Sequence, residues 1–116
     1  PSDGMAGQLP GEAMKPLFRF ADHTLVLNGL TLALTPHDCT MLGLLAKYQP
    51  RVVSFERFCR EMWPLDADQP EDFHNHIAIE VHKLRPKIAP FGLTVINVHA
   101  TGYYLLGDIE VDWTSV

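Results

Sequence analysis

Positive charge is scarce in this chain. Nine lysines and arginines stand against fourteen aspartates and glutamates, for a formal net charge of −5. That balance argues against indiscriminate attraction to nucleic acid or anionic lipid, which rests on a basic excess. Cysteine is scarcer still. Cys39 and Cys59 occur without a CxxC pair or a spaced ladder, so neither a disulfide framework nor a cysteine zinc site is expected, and both read as buried free thiols. No apolar run approaches the roughly 18–20 residues that span a bilayer, and no signal-peptide pattern opens the chain. A cytoplasmic location without a membrane partner follows as the expectation. A glycine-rich phosphate loop, a nucleophile motif and a convincing carboxylate pair are all missing, so no enzyme, catalytic residue or cofactor is expected. His74, His76 and His82 suggest a metal at first glance, but residues two apart on a helix point away from each other, and His76 with Glu80 is a lone i,i+4 pair. No metal site is expected.

What remains is an ordinary globular composition, 47% hydrophobic and 20% charged, in a length that suits one domain. Residues 1–16 mix Gly, Pro, Ser and Met without periodicity and read as a flexible linker or a remnant foreign to the domain. From Leu17 onward Phe18, Phe20, Leu25, Leu27, Leu30, Leu32 and Leu34 alternate with other residues, and Asn28-Gly29 interrupts them. Period-two alternation around Asn-Gly predicts short antiparallel strands with a tight hairpin.

Thr35-Pro36-His37-Asp38 then opens a helix. Thr35 can cap, Pro36 suits the first turn and Asp38 favours the positive end of the dipole. Met41, Leu42, Leu45 and Tyr48 form its apolar face up to Gln49-Pro50, and Val52-Val53 is a short extended piece. Ser54 is a good cap for a second helix, in which Phe55, Phe58, Cys59 and Met62 repeat at i, i+3, i+4 and i+7. Trp63-Pro64 ends it, and residues 64–72 form a loop with four acids.

The third helix is the most informative. Phe73, Ile77, Val81, Leu84 and Ile88 recur at spacings of four, four, three and four, which predicts a buried stripe. At about 100° per residue the opposite side carries Asn75, Ile79 and His82, flanked by Lys83 and Arg85. Pro86 is expected to kink or end this helix. The runs 93–98 and 103–106 are β-prone and separated by His99-Ala100-Thr101-Gly102, which predicts a terminal hairpin, and 108–116 read as an acidic tail. Charge is segregated along the chain: residues 73–107 carry +2 and the rest −7, with four of the six histidines in the basic stretch.

Strands, helix, helix, loop, helix, hairpin is the order of an α+β winged helix-turn-helix. It places a helix that fits the major groove of double-stranded DNA beside a hairpin that reaches phosphates or the next groove. Leu34-Thr35-Pro36, Arg51-Val52-Val53-Ser54, Trp63, the run Val81-His82-Lys83-Leu84-Arg85-Pro86-Lys87-Ile88 and Thr101-Gly102-Tyr103-Tyr104-Leu105 stand in the order and spacing of a known family. Over residues 18–106 the chain resembles the C-terminal DNA-binding domain of OmpR/PhoB-type response regulators of two-component systems.

This resemblance implies a transcription regulator in which Asn75, Ile79, His82, Lys83 and Arg85 face bases or phosphates from the recognition helix. It further implies a phosphate contact for Trp63 and wing contacts for Asn97 and His99. Loop 64–72 lies where relatives touch RNA polymerase, and relatives pair as homodimers on DNA half-sites. The chain departs from the family in having few arginines on the recognition helix, Glu80 where histidine is common, and Phe55 where an arginine often grips phosphate. Loss of arginine's bidentate reach predicts weaker or differently specific DNA binding. The alternative is a winged helix used for protein docking or self-association, which the net charge, Glu80 and an exposed Ile79 would suit.

Overall fold

The computed structural model describes residues 15–114. The linker expected over 1–16 therefore lies, except for its last two residues, outside the described residues. Three short strands come first: β1 (Leu17–Arg19), β2 (Thr24–Leu27) and β3 (Leu30–Ala33). They are antiparallel, with Phe18 opposite Leu25 and Leu25 opposite Leu32. Asn28 (φ 49°) and Gly29 (φ 81°) both adopt the left-handed region that a type I′ hairpin requires, as their sequence predicted.

Helix α1 (Pro36–Tyr48) starts on the expected signals. The Thr35 hydroxyl accepts from the Asp38 amide at 3.1 Å, and the Asp38 carboxylate accepts from the Thr35 amide at 3.4 Å, so each end of the cap serves the other. Burial extends beyond the predicted stripe, taking in Cys39, Gly43 and Leu44 as well as Met41, Leu42 and Leu45. The reason is tertiary: the Phe20 and Trp113 rings lie over Gly43, and the other two helices pack against α1.

Strand β4 (Val53–Ser54) leads into α2 (Phe55–Met62), capped by the Ser54 hydroxyl, which accepts from the Arg57 amide at 3.1 Å. Residues 64–72 contain a single 3₁₀ turn, Asp66–Asp68. Helix α3 (Phe73–Ile88) follows, then β5 (Thr94–Val98), β6 (Gly102–Leu106) and β7 (Glu110–Asp112). Strands β5 and β6 form the predicted hairpin, and β4 adds to β6 as the third strand of that sheet.

Ile77, Val81, Leu84 and Ile88 of α3 are buried with Phe18, Leu25, Leu42, Leu45, Phe58 and Leu105 in one core. Phe73, expected in the same stripe, is only half-buried; it is the first residue of the helix and stacks on His74. Pro86 does not end the helix, which runs on to Ile88. The bond it cannot make would go to the His82 carbonyl, on the exposed side where water can take its place. The stop comes instead from Pro90 in a 3₁₀ turn and from Gly92 at φ 78°.

The described part of 108–116 corrects the expectation of a tail. Strand β7 runs parallel to β1, with Val111 opposite Phe18, so the first sheet has the order β3-β2-β1-β7. Trp113 then lies against Phe18 and Phe20 at ring distances of 6.3 and 5.3 Å. Ile109 and Val111 are half-buried against the core, Trp113 covers Phe18 and Phe20 while remaining exposed on its outer side, and Asp108 and Glu110 face out.

Both cysteines are buried and free. Burial, reinforced by the nearby Asp38 carboxylate, pushes the Cys39 thiol up to about 11, and burial raises the Cys59 thiol as well. Because the thiolate is the nucleophile, neither is expected to react with a thiol-specific disulfide reagent at neutral pH in the native protein. Both should react in denaturant, and stoichiometric labelling of the folded protein would contradict this packing.

Candidate nucleic-acid interface

The buried stripe of α3 fixes what the rest of the helix shows. With Ile77, Val81, Leu84 and Ile88 turned inward, Asn75, Ile79, His82 and Pro86 are exposed on the opposite side, with Ala78 and Lys83 exposed on its two flanks. Asn75, Ile79, His82 and Lys83 are thus brought together as the sequence predicted. Exposed Ala78 bounds the face on one flank; the sequence reading passed over it because alanine marks neither a core nor a contact position.

The two edges of this face border neighbouring elements. On the α1 side, Glu80 Oε2 lies 4.0 Å from His37 Nδ1, and Lys87 Nζ reaches Asp38 Oδ2 at 2.6 Å. On the wing side, the His74 ring meets Phe55 edge-on at 4.5 Å, and Phe55 in turn meets Tyr103. Phe55 therefore packs α2 against the wing and the start of α3.

Arg85 stands apart from the predicted group. Its Nε and Nη2 donate to the Val95 carbonyl at 3.2 and 3.1 Å. Two N–H groups of one guanidinium thus clamp the C-terminal half of α3 to β5. Burial pushes the Tyr103 phenol above its ordinary value, and the neighbouring Arg85 charge opposes that rise.

Trp63 is half-buried at the end of α2. Its ring lies edge-on to His37 at 5.5 Å and to His76 at 6.0 Å, and its carbonyl accepts from Gln69 Nε2 at 3.1 Å. His76 faces Asp72 at 3.3 Å rather than Glu80, so the i,i+4 pair weighed above as metal ligands is split between two different partners. His37 belongs to this row of rings, and nothing in its spacing marked it.

Asn97 and His99 are exposed on the hairpin, Asn97 opposite Tyr103 in β5 and His99 in the connecting turn. The turn is held by the Thr101 amide, which donates to the Val98 carbonyl, and by the Thr101 hydroxyl, which donates to the His99 carbonyl. At the far end, Gln49 Nε2 donates to the carbonyls of Leu105 and Gly107 and ties β6 to the end of α1. Helix face and hairpin tip are therefore set on one rigid frame.

A family model described as "Transcriptional regulatory protein, C terminal" matches residues 29–105. This chain belongs to that family. The transcriptional regulatory C-terminal domains of OmpR/PhoB type bind DNA and are not enzymes, and the winged α+β fold of this member agrees with solved relatives. The C-terminal domain of the nisin resistance regulator NsrR, a lantibiotic response regulator, is 27% identical with a TM-score of 0.60, covering 72% of this chain and 84% of that one. The DNA-binding domain of the response regulator AdeR, solved in complex with an intercistronic region, has the same fold at 22% identity and a TM-score of 0.59, covering 73% and 87%. No curated protein matches the chain in sequence. In this regulatory domain no helix among the described residues is long and apolar enough to cross a membrane.

Proposed function

We propose that this domain reads DNA with Asn75, Ile79, His82 and Lys83 of α3 in the major groove, and with Asn97 and His99 of the wing at the adjacent groove or backbone. The carrying observation is that the four helix residues share one exposed surface whose opposite side is buried in the core. A helix of that diameter fits the major groove, and a hairpin fixed beside it spans to the neighbouring phosphates. Trp63 supports a phosphate contact at the end of α2. Arg85 contributes charge on the wing side and positions the hairpin through Val95; a base contact from it would require releasing that carbonyl.

The finer partners belong to the same proposal. The 3₁₀ turn of 64–72 exposes Leu65, at 66%, together with Asp66, Ala67 and Asp68, which suits a contact with RNA polymerase. A homodimer on paired half-sites, in the cytoplasm, is the arrangement this domain would serve.

Lys83→Ala tests the reading. Its side chain is exposed and unengaged by the core, so the fold should be unaffected, while binding weakens and the slope of log affinity against log salt falls by about 1. Amide shifts on titration with DNA should cluster at Asn75–Lys83 and His99. Unchanged affinity and salt slope in the variant, with shifts elsewhere, would remove α3 from the interface.

A further inference from the structure

The middle of the reading face carries no arginine, and its central side chain is aliphatic. Ile79 is 44% exposed at the centre of that face, next to exposed Ala78 and between Asn75 and His82. The one arginine of α3, Arg85, has two N–H groups on the Val95 carbonyl. Recognition of a guanine edge by the planar fork of a guanidinium therefore has no donor at the centre of this helix, and the ammonium of Lys83 stands on the flank. A branched aliphatic side chain there leaves apolar surface in water unless the bound DNA covers it. The major groove offers one apolar feature on its base edges, the C5 methyl of thymine.

We infer that Ile79 packs on the C5 methyl of a thymine and makes that base pair a specificity position of the half-site. This rests on α3 lying in the major groove as proposed above, and it names what the centre of the helix reads there. Asn75 extends the same preference. It lies one turn before Ile79, about 6 Å along the helix, and an asparagine amide matches the N6–N7 edge of adenine. Two residues one turn apart thus select A·T pairs, through a methyl contact and through an amide. His82 and Lys83 supply the polar and cationic flank.

The test replaces thymines one at a time by deoxyuridine in a half-site obtained by selecting bound oligonucleotides with this domain. Deoxyuridine pairs as thymine does and lacks only the methyl. At one position the substitution should weaken binding about fourfold, the value of burying one methyl-sized group. Ile79→Ala should weaken binding to the thymine site and bring the thymine-to-deoxyuridine ratio at that position to about 1. Lys83→Ala should lower affinity for both sites and leave the ratio unchanged. Alanine is a strong helix former and residue 79 is outside the core, so the variant keeps its fold.

Either a half-site insensitive to deoxyuridine at every position, or a ratio that survives Ile79→Ala, overturns the inference. Amide shifts recorded on the same complexes separate the two levels. Shifts at Asn75–Lys83 without a deoxyuridine effect leave the groove reading standing and remove the methyl contact; absence of those shifts removes both.

Discussion

Gly102→Ala should destabilise this domain by about 3 kcal/mol or more, in the upper range for inserting a carbon where none fits. A Cβ at residue 102 would lie 1.9 Å from the Val53 carbonyl oxygen, 2.8 Å from its carbon and 3.0 Å from Ser54 Cα. All three neighbours are backbone, so no side-chain rotation relieves the clash. The strands β4 and β6 would have to part, and with them the pairs Val53–Tyr103 and Ser54–Gly102 and the bond from the Phe55 amide to the Thr101 carbonyl. Val53 and Tyr103 are both buried, and Tyr103 packs on Phe55 and Phe58, so separation also opens the core. For a domain of about 100 residues this corresponds to a fall in Tm of at least ~12 °C, measurable by circular dichroism. Gly29 provides the control. A Cβ there meets nothing within 4 Å, so Gly29→Ala carries only the left-handed backbone cost of about 1 kcal/mol. Equal melting of the two variants would mean that the close approach of β6 to β4 is not as described.

That glycine sits in the Thr101-Gly102-Tyr103-Tyr104-Leu105 run on which the family resemblance partly rested, and the structure supplies its physical reason. Much else was legible for a similar cause, namely that the deciding interaction is local. The four-four-three-four stripe of α3 needs only the period of one helix, and it returned the buried residues except Phe73, the half-buried first residue. Thr35 and Asp38 cap within four residues, and Asn28-Gly29 turns within two. What stayed hidden is which distant neighbour each surface meets. Periodicity placed Arg85 at the edge of the exposed face, but a solvated arginine and one clamped to the Val95 carbonyl have the same period. The acids of 108–116 drew attention from the alternation of Ile109, Val111 and Trp113, a strand signal too short to stand out until β1 was known to be its partner. Glu80 could be read as a departure from the family, yet its place 4.0 Å from His37 depends on how α1 crosses α3.

The crossing of those two helices is where the second large effect is expected. Asp38 is 2% exposed, and its carboxylate oxygen lies 2.6 Å from Lys87 Nζ, 49 residues away in sequence. Lys87→Met keeps most of the apolar stem and removes the ammonium, leaving a buried carboxylate whose remaining contact is the 3.4 Å bond from the Thr35 amide. Breaking a buried ion pair typically costs 3–5 kcal/mol; the Lys87 side chain is 34% exposed, so solvent screening places this one at about 2 kcal/mol. Asp38→Asn combined with Lys87→Met should recover most of that loss, because a neutral amide oxygen still accepts from Thr35 and no charge is left buried. A double-mutant cycle in denaturant should therefore give a coupling of at least about 1 kcal/mol, and additive single effects would deny the pair. DNA binding separates this lysine from its neighbour on the helix. With its charge already engaged by Asp38, Lys87→Met should leave the salt slope of binding unchanged, whereas Lys83→Ala lowers it. The ion pair would then act on DNA only through the angle at which α1 holds α3, so the double variant should restore affinity together with stability.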